Sequence, residues 1–163
     1  MNKADIPDSP DGRTERIGTA ERELAENGVY MTNTIGHSME PFLSHHRDAV
    51  VIARPERPPR KYDVVLYPGK GDTYILHRII AVKADHFVIR GDNNYFREYV
   101  PKDKIIGVLV SFTRKGKRGS VKDIGYKLYS RRRVLCYPLR VLYRRARTAL
   151  ARIYRAVFKR KKR

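Results

Sequence analysis

The central part of the chain carries short apolar runs that are rich in β-branched residues and are separated by turn-forming residues. Runs of this kind, with no helical periodicity between them, are typical of antiparallel strands rather than of a parallel sheet with crossover helices. Proline and glycine residues between the runs supply the turns. We therefore predict a mainly β, antiparallel domain with six strands, at about residues 29–35, 49–53, 63–67, 74–82, 87–89 and 105–112.

The N-terminal region differs from this domain in composition. Residues 1–13 are polar, acidic and rich in proline and glycine, which predicts a mobile arm. Thr19 is a suitable N-cap for a short helix, and the pair Asn27-Gly28 supplies its end. The arm and the helix together account for residues 1–28, and the β domain follows at residues 29–113.

The C-terminal region predicts a helix. Residues 114–125 are charged and contain glycine, which is typical of a linker. In the following segment, residues 126–163, apolar side chains recur at steps of three and four, so one face of a helix is apolar and the other faces are basic. This amphipathic helix has two alternative roles: its apolar face lies in a membrane surface, or it packs back on the β domain.

The net charge of +19 belongs to that C-terminal region. Residues 114–163 hold 20 Lys and Arg against one Asp, whereas residues 1–113 hold 16 Lys and Arg against 16 Asp and Glu. Such a segment can attract anionic lipid, nucleic acid or an acidic protein, and charge does not choose among them. Tyrosines among the basic residues could also stack on nucleic-acid bases.

Several classes of protein are disfavoured by the composition. Cys136 is the single cysteine, so neither an intrachain disulfide nor a cysteine-rich zinc site is predicted. The first residues lack the apolar stretch of a secretory signal. No window of about 18 residues is free of charge, and we therefore predict no transmembrane helix.

Three strings within the β domain carry candidate chemistry. Ser38 lies in GHSMEP at residues 36–41, His77 lies in LHRI at residues 76–79, and Asp92 lies in GDNN at residues 91–94. A serine hydroxyl, an imidazole and a carboxylate can serve as nucleophile, base and orienting acid. The simpler interpretations are that Ser38 is a turn serine and His77 a histidine packed on a strand face.

These strings, with DAVVI at residues 48–52 and YDVVL at residues 62–66, resemble the signal peptidase family of serine endopeptidases, in the branch whose base is histidine. The resemblance covers about residues 33–112 and implies a signal-peptidase-like β domain. It implies that Ser38 is the nucleophile and His77 the base. The acid that orients the histidine falls on Glu98, with Asp92 as the alternative. The implied reaction is cleavage of signal or leader peptides after small residues, and it requires no cofactor and no metal ion.

Location and partners follow from the C-terminal helix. We expect it to bind an anionic membrane surface, which would make the protein peripheral on the cytoplasmic face, with a cytoplasmic leader peptide as substrate. For the location, the alternative is that the chain is exported and acts at the outer face, where signal peptides are cleaved. The alternative is a catalytically silent module that binds nucleic acid or a membrane through its polybasic segment. The oligomeric state stays open.

Overall fold

The computed structural model describes residues 18–71 and 73–160, so the predicted arm at residues 1–13 lies outside the described part of the chain. The described residues form one antiparallel sheet of eight strands, curled into a half-barrel, with helices before and after it. The prediction of a mainly antiparallel β fold followed by a helical region is therefore confirmed.

The elements follow one another along the chain in a simple order. They are α1 (Thr19–Glu26), β1 (Val29–Asn33), β2 (Ala49–Ala53), β3 (Val64–Pro68), β4 (Tyr74–Val82), β5 (His86–Arg90), β6 (Glu98–Pro101), a 3-10 turn (Lys102–Lys104), β7 (Gly107–Arg114), β8 (Lys117–Ser120), α2 (Ile124–Leu135) and α3 (Tyr137–Arg160). Across the sheet the strands run β1-β2-β7-β3-β4-β5-β6, and β8 pairs with β7. Strand β4 therefore lies between β3 and β5, inside the sheet.

The six predicted strands are present, with ends that move by up to two residues, and two further strands were not predicted. Strand β6 has one buried residue, Val100, and β8 has none, so neither shows the apolar alternation that marks a strand in sequence. Strand β8 lies within residues 114–125, the stretch predicted as a linker, and α2 begins there too. Residues 114–125 therefore contain β8, which forms a hairpin with β7, and the first residues of α2.

The helices also differ in detail from the prediction. The N-cap of α1 is Gly18, not Thr19, and its N–H donates to the hydroxyl of Tyr74 at 2.7 Å. The C-terminal basic segment forms two helices separated at Cys136, with Pro138 in the first turn of α3, where a missing N–H costs no helical hydrogen bond. Among the described helices, none combines the length and the apolar character that crossing a membrane requires.

Two clusters of buried side chains cover the two faces of the sheet. The first contains Leu76 together with Phe42 and Tyr126, so it includes a residue of α2. The second contains Tyr67 and Ile79. Because successive strand residues point to opposite faces, β4 contributes alternately to both clusters. Neighbouring residues of β4 therefore have different surroundings, and this alternation positions the candidate site.

Candidate functional site

Ser38 lies in the loop that joins β1 to β2, residues 34–48, and the ends of this loop are bonded to each other. The N–H and the hydroxyl of Thr34 both donate to the carbonyl oxygen of Asp48, each at 2.9 Å. The buried Asp48 carboxylate in turn accepts the N–H of Ser44 at 2.8 Å. The loop is thus closed at its base, which limits the positions that Ser38 can take.

The GDNN loop, residues 91–94, holds the Ser38 segment from the other side. The N–H of Asn93 donates to the carbonyl oxygen of Ser38 at 2.7 Å, and its side-chain amide donates to the carbonyl oxygen of His37 at 3.1 Å. Within the described part of the chain, the N–H of Ser38 has no hydrogen-bond partner. It is therefore available to a developing oxyanion on a bound substrate.

His77 is held by a carboxylate and a phenol. Its Nδ1 lies 2.8 Å from Oε1 of Glu98, and the hydroxyl of Tyr67 donates to Oε2 of the same carboxylate at 2.7 Å. The Tyr67 oxygen also lies 3.3 Å from the imidazole Nδ1. Because an ionised carboxylate only accepts hydrogen bonds, Nδ1 is the donor in the bond to Glu98, and Nε2 is then an acceptor whenever the ring is neutral.

The Nε2 edge of the imidazole faces the Ser38 segment across Gly91. A carbon atom added at Gly91 would lie 2.9 Å from Nε2 of His77 and 2.7 Å from the carbonyl oxygen of Ser38, so only glycine leaves this space open. Among the hydrogen bonds of the described residues, none joins the Ser38 hydroxyl to His77. Bonds between a nucleophile and its base are often long in free enzymes and shorten when substrate binds.

The two groups that contact Nδ1 of His77 both have shifted pKa values. Burial alone would raise the pKa of the Glu98 carboxyl, but the hydrogen bond and charge interaction with His77, and the bond from Tyr67, lower it below its usual value. Burial, followed by the charge of Glu98, raises the pKa of the Tyr67 phenol. At neutral pH Glu98 is therefore an anion and Tyr67 remains a donor.

Asp92, the alternative acid, has a different partner. Both of its carboxylate oxygens accept hydrogen bonds from Arg78, at 2.8 and 2.7 Å, and one also accepts the hydroxyl of Tyr129 at 3.2 Å. Burial opposes the charge on Arg78, yet the pair with Asp92 raises the pKa of the guanidinium above its usual value. The structure therefore brings Ser38, His77 and Glu98 together, and it places the Asp92 carboxylate with Arg78.

Tyr67 is a site residue that the sequence analysis missed. In the β3–β4 pair, Val65 is opposite His77, and Tyr67 is two residues further along the same strand. It therefore lies on the same face, diagonal to the histidine, within reach of a long side chain. The sequence feature that could have indicated Tyr67 is its position directly after YDVVL. Only the register of the β3–β4 pair shows that it lies beside His77.

A cleft lies beside Ser38. Its volume is only about 20 Å³, and most of its lining is apolar. The lining residues are Thr34, Ile35, Gly36, Ser38, Met39, Leu43 and Leu76. The nucleophile candidate is thus at the edge of a small, mostly apolar cleft.

Comparison with known proteins gives no relative: no family model, curated protein or solved structure matches this chain. The resemblance of its motifs to the signal peptidase family thus stays a prediction from the sequence. Within residues 18–71 and 73–160, no group of three His, Cys, Asp or Glu side chains is placed to hold a metal ion.

Proposed function

We propose that this protein is a serine endopeptidase in which Ser38 is the nucleophile, His77 the general base and Glu98 the acid that orients the imidazole. The observation that supports this most strongly is the orientation of the His77 ring. Its Nδ1 is bonded to Glu98 at 2.8 Å, and its Nε2 edge faces the Ser38 segment across Gly91. A histidine that only filled a core would not need an ionised partner at one nitrogen and an open edge at the other.

The proposed reaction follows from these positions. Nε2 of His77 takes the proton of the Ser38 hydroxyl as the oxygen attacks the peptide carbonyl, and the imidazolium then returns that proton to the leaving amine. Water hydrolyses the resulting ester by the same route in reverse. Glu98 stabilises the imidazolium, and the N–H of Ser38 donates to the oxyanion. No step uses a metal ion or a cofactor.

The pocket supports a substrate class. Because the cleft beside Ser38 is small and mostly apolar, it suits a short apolar side chain next to the bond that is cut. This agrees with cleavage of signal or leader peptides after small residues, the activity that the motifs imply. We propose such a peptide as the substrate.

We also propose that the protein works at the cytoplasmic face of a membrane, as a peripheral protein. The basis is its net charge of +19, which is concentrated beyond residue 113. Cytoplasmic leaflets carry anionic lipids that attract polybasic segments, with about 1 kcal/mol for each Lys or Arg near the surface.

Cleavage of a peptide library by the purified chain tests the peptidase proposal. The library should contain leader-like peptides with alanine, glycine and serine before the bond to be cut, and mass spectrometry should identify the products. We expect the Ser38→Ala and His77→Ala variants to lose cleavage by a factor of about 10³ or more, since a dyad acts as a unit.

Two variants serve as matched controls. Ser44→Ala removes a hydroxyl from the same loop, where it contacts Arg47, and His86→Ala removes a second histidine whose Nδ1 lies 2.7 Å from a carboxylate, that of Asp85. Both should cleave like the wild type. Cleavage that survives in Ser38→Ala, or a wild-type chain that cuts no peptide of the library, would contradict the proposal.

A further inference from the structure

Helix α3 contacts the β domain through one side of its first two turns. The hydroxyl of Tyr137 donates to the carbonyl oxygen of Tyr95 at 2.9 Å, and Arg140 donates to the carbonyl oxygen of Asp92 at 3.0 Å. The guanidinium of Arg144 lies 4.1 Å from the centre of the Tyr95 ring. Tyr137, Arg140 and Arg144 are three or four residues apart, so they share one side of the helix.

The leucines of α3 lie on another side. Leu139, Leu142 and Leu150, here called the leucine stripe, are separated by steps that keep them on one face, and they are 66%, 64% and 66% exposed. The face that meets the β domain is thus the tyrosine and arginine face. Of the two alternatives that the sequence left open, packing of the apolar face on the β domain is not what α3 does over residues 137–150.

The charge around the leucine stripe has a single sign. Residues 124–163 contain 15 Lys and Arg and no Asp or Glu. On a helix with 3.6 residues per turn, Arg145 and Arg147 lie on opposite flanks of the stripe. Over residues 139–150 the exposed surface of α3 is therefore an apolar strip between basic flanks.

We propose that the leucine stripe of α3 binds the surface of an anionic lipid bilayer, with the helix lying parallel to the membrane. An interfacial helix needs an apolar face for the acyl region and basic residues for the headgroups, and α3 presents both on its outward side. A second copy of the helix fits less well, because each copy carries only positive charge. Nucleic acid would engage the arginines but would leave the leucines in water.

The contacts of the helical region give this binding a direction. Arg133 of α2 donates to the carbonyl oxygens of Asp92, at 2.9 Å, and Glu40, at 3.2 Å, so the helices are bonded to both loops that surround the candidate site. A helix held at the lipid surface would therefore keep Ser38 close to that surface. This consequence rests on the proposed peptidase function, whereas lipid binding itself rests only on the proposed membrane location.

Vesicle flotation of the purified full chain tests the proposal without any assay of cleavage. The probes are vesicles of phosphatidylcholine alone and vesicles that also contain phosphatidylglycerol. We expect binding to the anionic vesicles, and a loss of at least about tenfold in the Leu142→Gln/Leu150→Gln variant, because glutamine keeps the helix but removes apolar area. The matched control Met31→Gln/Val82→Gln replaces two exposed apolar residues of the sheet and should bind like the wild type.

Three results would overturn the proposal, provided that circular dichroism shows equal helix content in all the variants. One is equal binding of the stripe variant and the wild type, which would assign binding to charge alone. Another is equal binding to neutral and anionic vesicles. The third is a wild-type dimer in sedimentation that the stripe variant abolishes, which would assign the leucines to a second copy of the chain.

Discussion

Two neighbouring residues of β4 each pair with a carboxylate, on opposite faces of the sheet. His77 lies 2.8 Å from Glu98 on one face, and Arg78 lies 2.7 Å from Asp92 on the other. In sequence the two acids were alternatives for one role. The structure gives each of them a separate basic partner, so the comparison of the two pairs shows what distinguishes a structural ion pair from a candidate catalytic one.

The difference lies in burial and in what remains unbonded. The side chains of Arg78 and Asp92 are 0% and 2% exposed, whereas those of His77 and Glu98 are 6% and 23% exposed. Arg78 also donates to the Tyr62 carbonyl oxygen and to the Ser130 hydroxyl. That pair is closed, whereas the histidine keeps one nitrogen directed at the Ser38 segment. An imidazole with one unbonded nitrogen can accept a proton, whereas a buried ion pair whose groups are all hydrogen-bonded can only stabilise the fold.

The largest effect should come from breaking the closed pair. We expect Asp92→Asn to lower the free energy of unfolding by about 3–5 kcal/mol, because it leaves a buried guanidinium without its counter-charge. Glu98→Gln, at the more exposed pair, should lower it by about 1 kcal/mol or less. Urea unfolding followed by circular dichroism measures both changes.

A double substitution sharpens this comparison. Arg78→Met/Asp92→Leu removes both charges and should recover most of the stability that Asp92→Asn loses. If the unfolding free energy of Asp92→Asn lies within about 1 kcal/mol of the wild-type value, the Arg78–Asp92 pair does not stabilise the fold.

A smaller effect is expected at the open pair, from Tyr67→Phe. This change removes the hydroxyl that donates to Glu98 at 2.7 Å and leaves the ring in place. We expect kcat to fall about tenfold with KM unchanged, as suits a hydrogen bond to a charged group of about 1.5 kcal/mol. The pKa of Glu98 should rise, which an NMR titration of the carboxyl would detect.

Tyr99→Phe, at an exposed position on β6, is the matched control for this change. It should leave kcat and the Glu98 pKa as they are. An unchanged kcat in Tyr67→Phe, with cleavage by the wild type established, would show that Tyr67 packs against the pair without positioning it.

The smallest effect is a pH dependence of stability. The pKa of Glu98 is lowered in the folded protein, so its stabilising contribution is present above its unfolded pKa, about 4.3, and is lost as pH falls through the folded pKa. The difference in unfolding free energy between wild type and Glu98→Gln should therefore shrink on acidification. Urea unfolding from about pH 7 to about pH 3 tests this, and a difference that stays constant would contradict it.

The sheet was readable from the sequence where strands bury apolar residues. Strand β2 was predicted with its observed ends because residues 49–53 are a short apolar run rich in β-branched residues, and in the structure Val50 and Ile52 of this run are buried. Strands β6 and β8 were missed because they lie at the edges of the pairing and bury little. Their position depends on partner strands, and partners are a property of the whole sheet that no local pattern carries.

The candidate site was readable only in part, for a related reason. The motifs pointed to Ser38 and His77, and their resemblance to a family placed the acid on Glu98 with Asp92 left open as the alternative. Glu98 reaches the histidine because β6 pairs with β5 and β5 with β4, while Asp92 turns to Arg78 on the other face. Choosing between them required the strand order. Tyr67 required the register between β3 and β4.

The alternation of β4 limits how the length of this strand can change. A single residue inserted before His77 would turn the imidazole toward α2 and bring the guanidinium to the Glu98 side, so one insertion would disturb the reactive groups and the packing of α2 together. An insertion of two residues would restore both faces. Length variation that preserves both pairs is therefore confined to even steps within the strand, or to the turns at its ends.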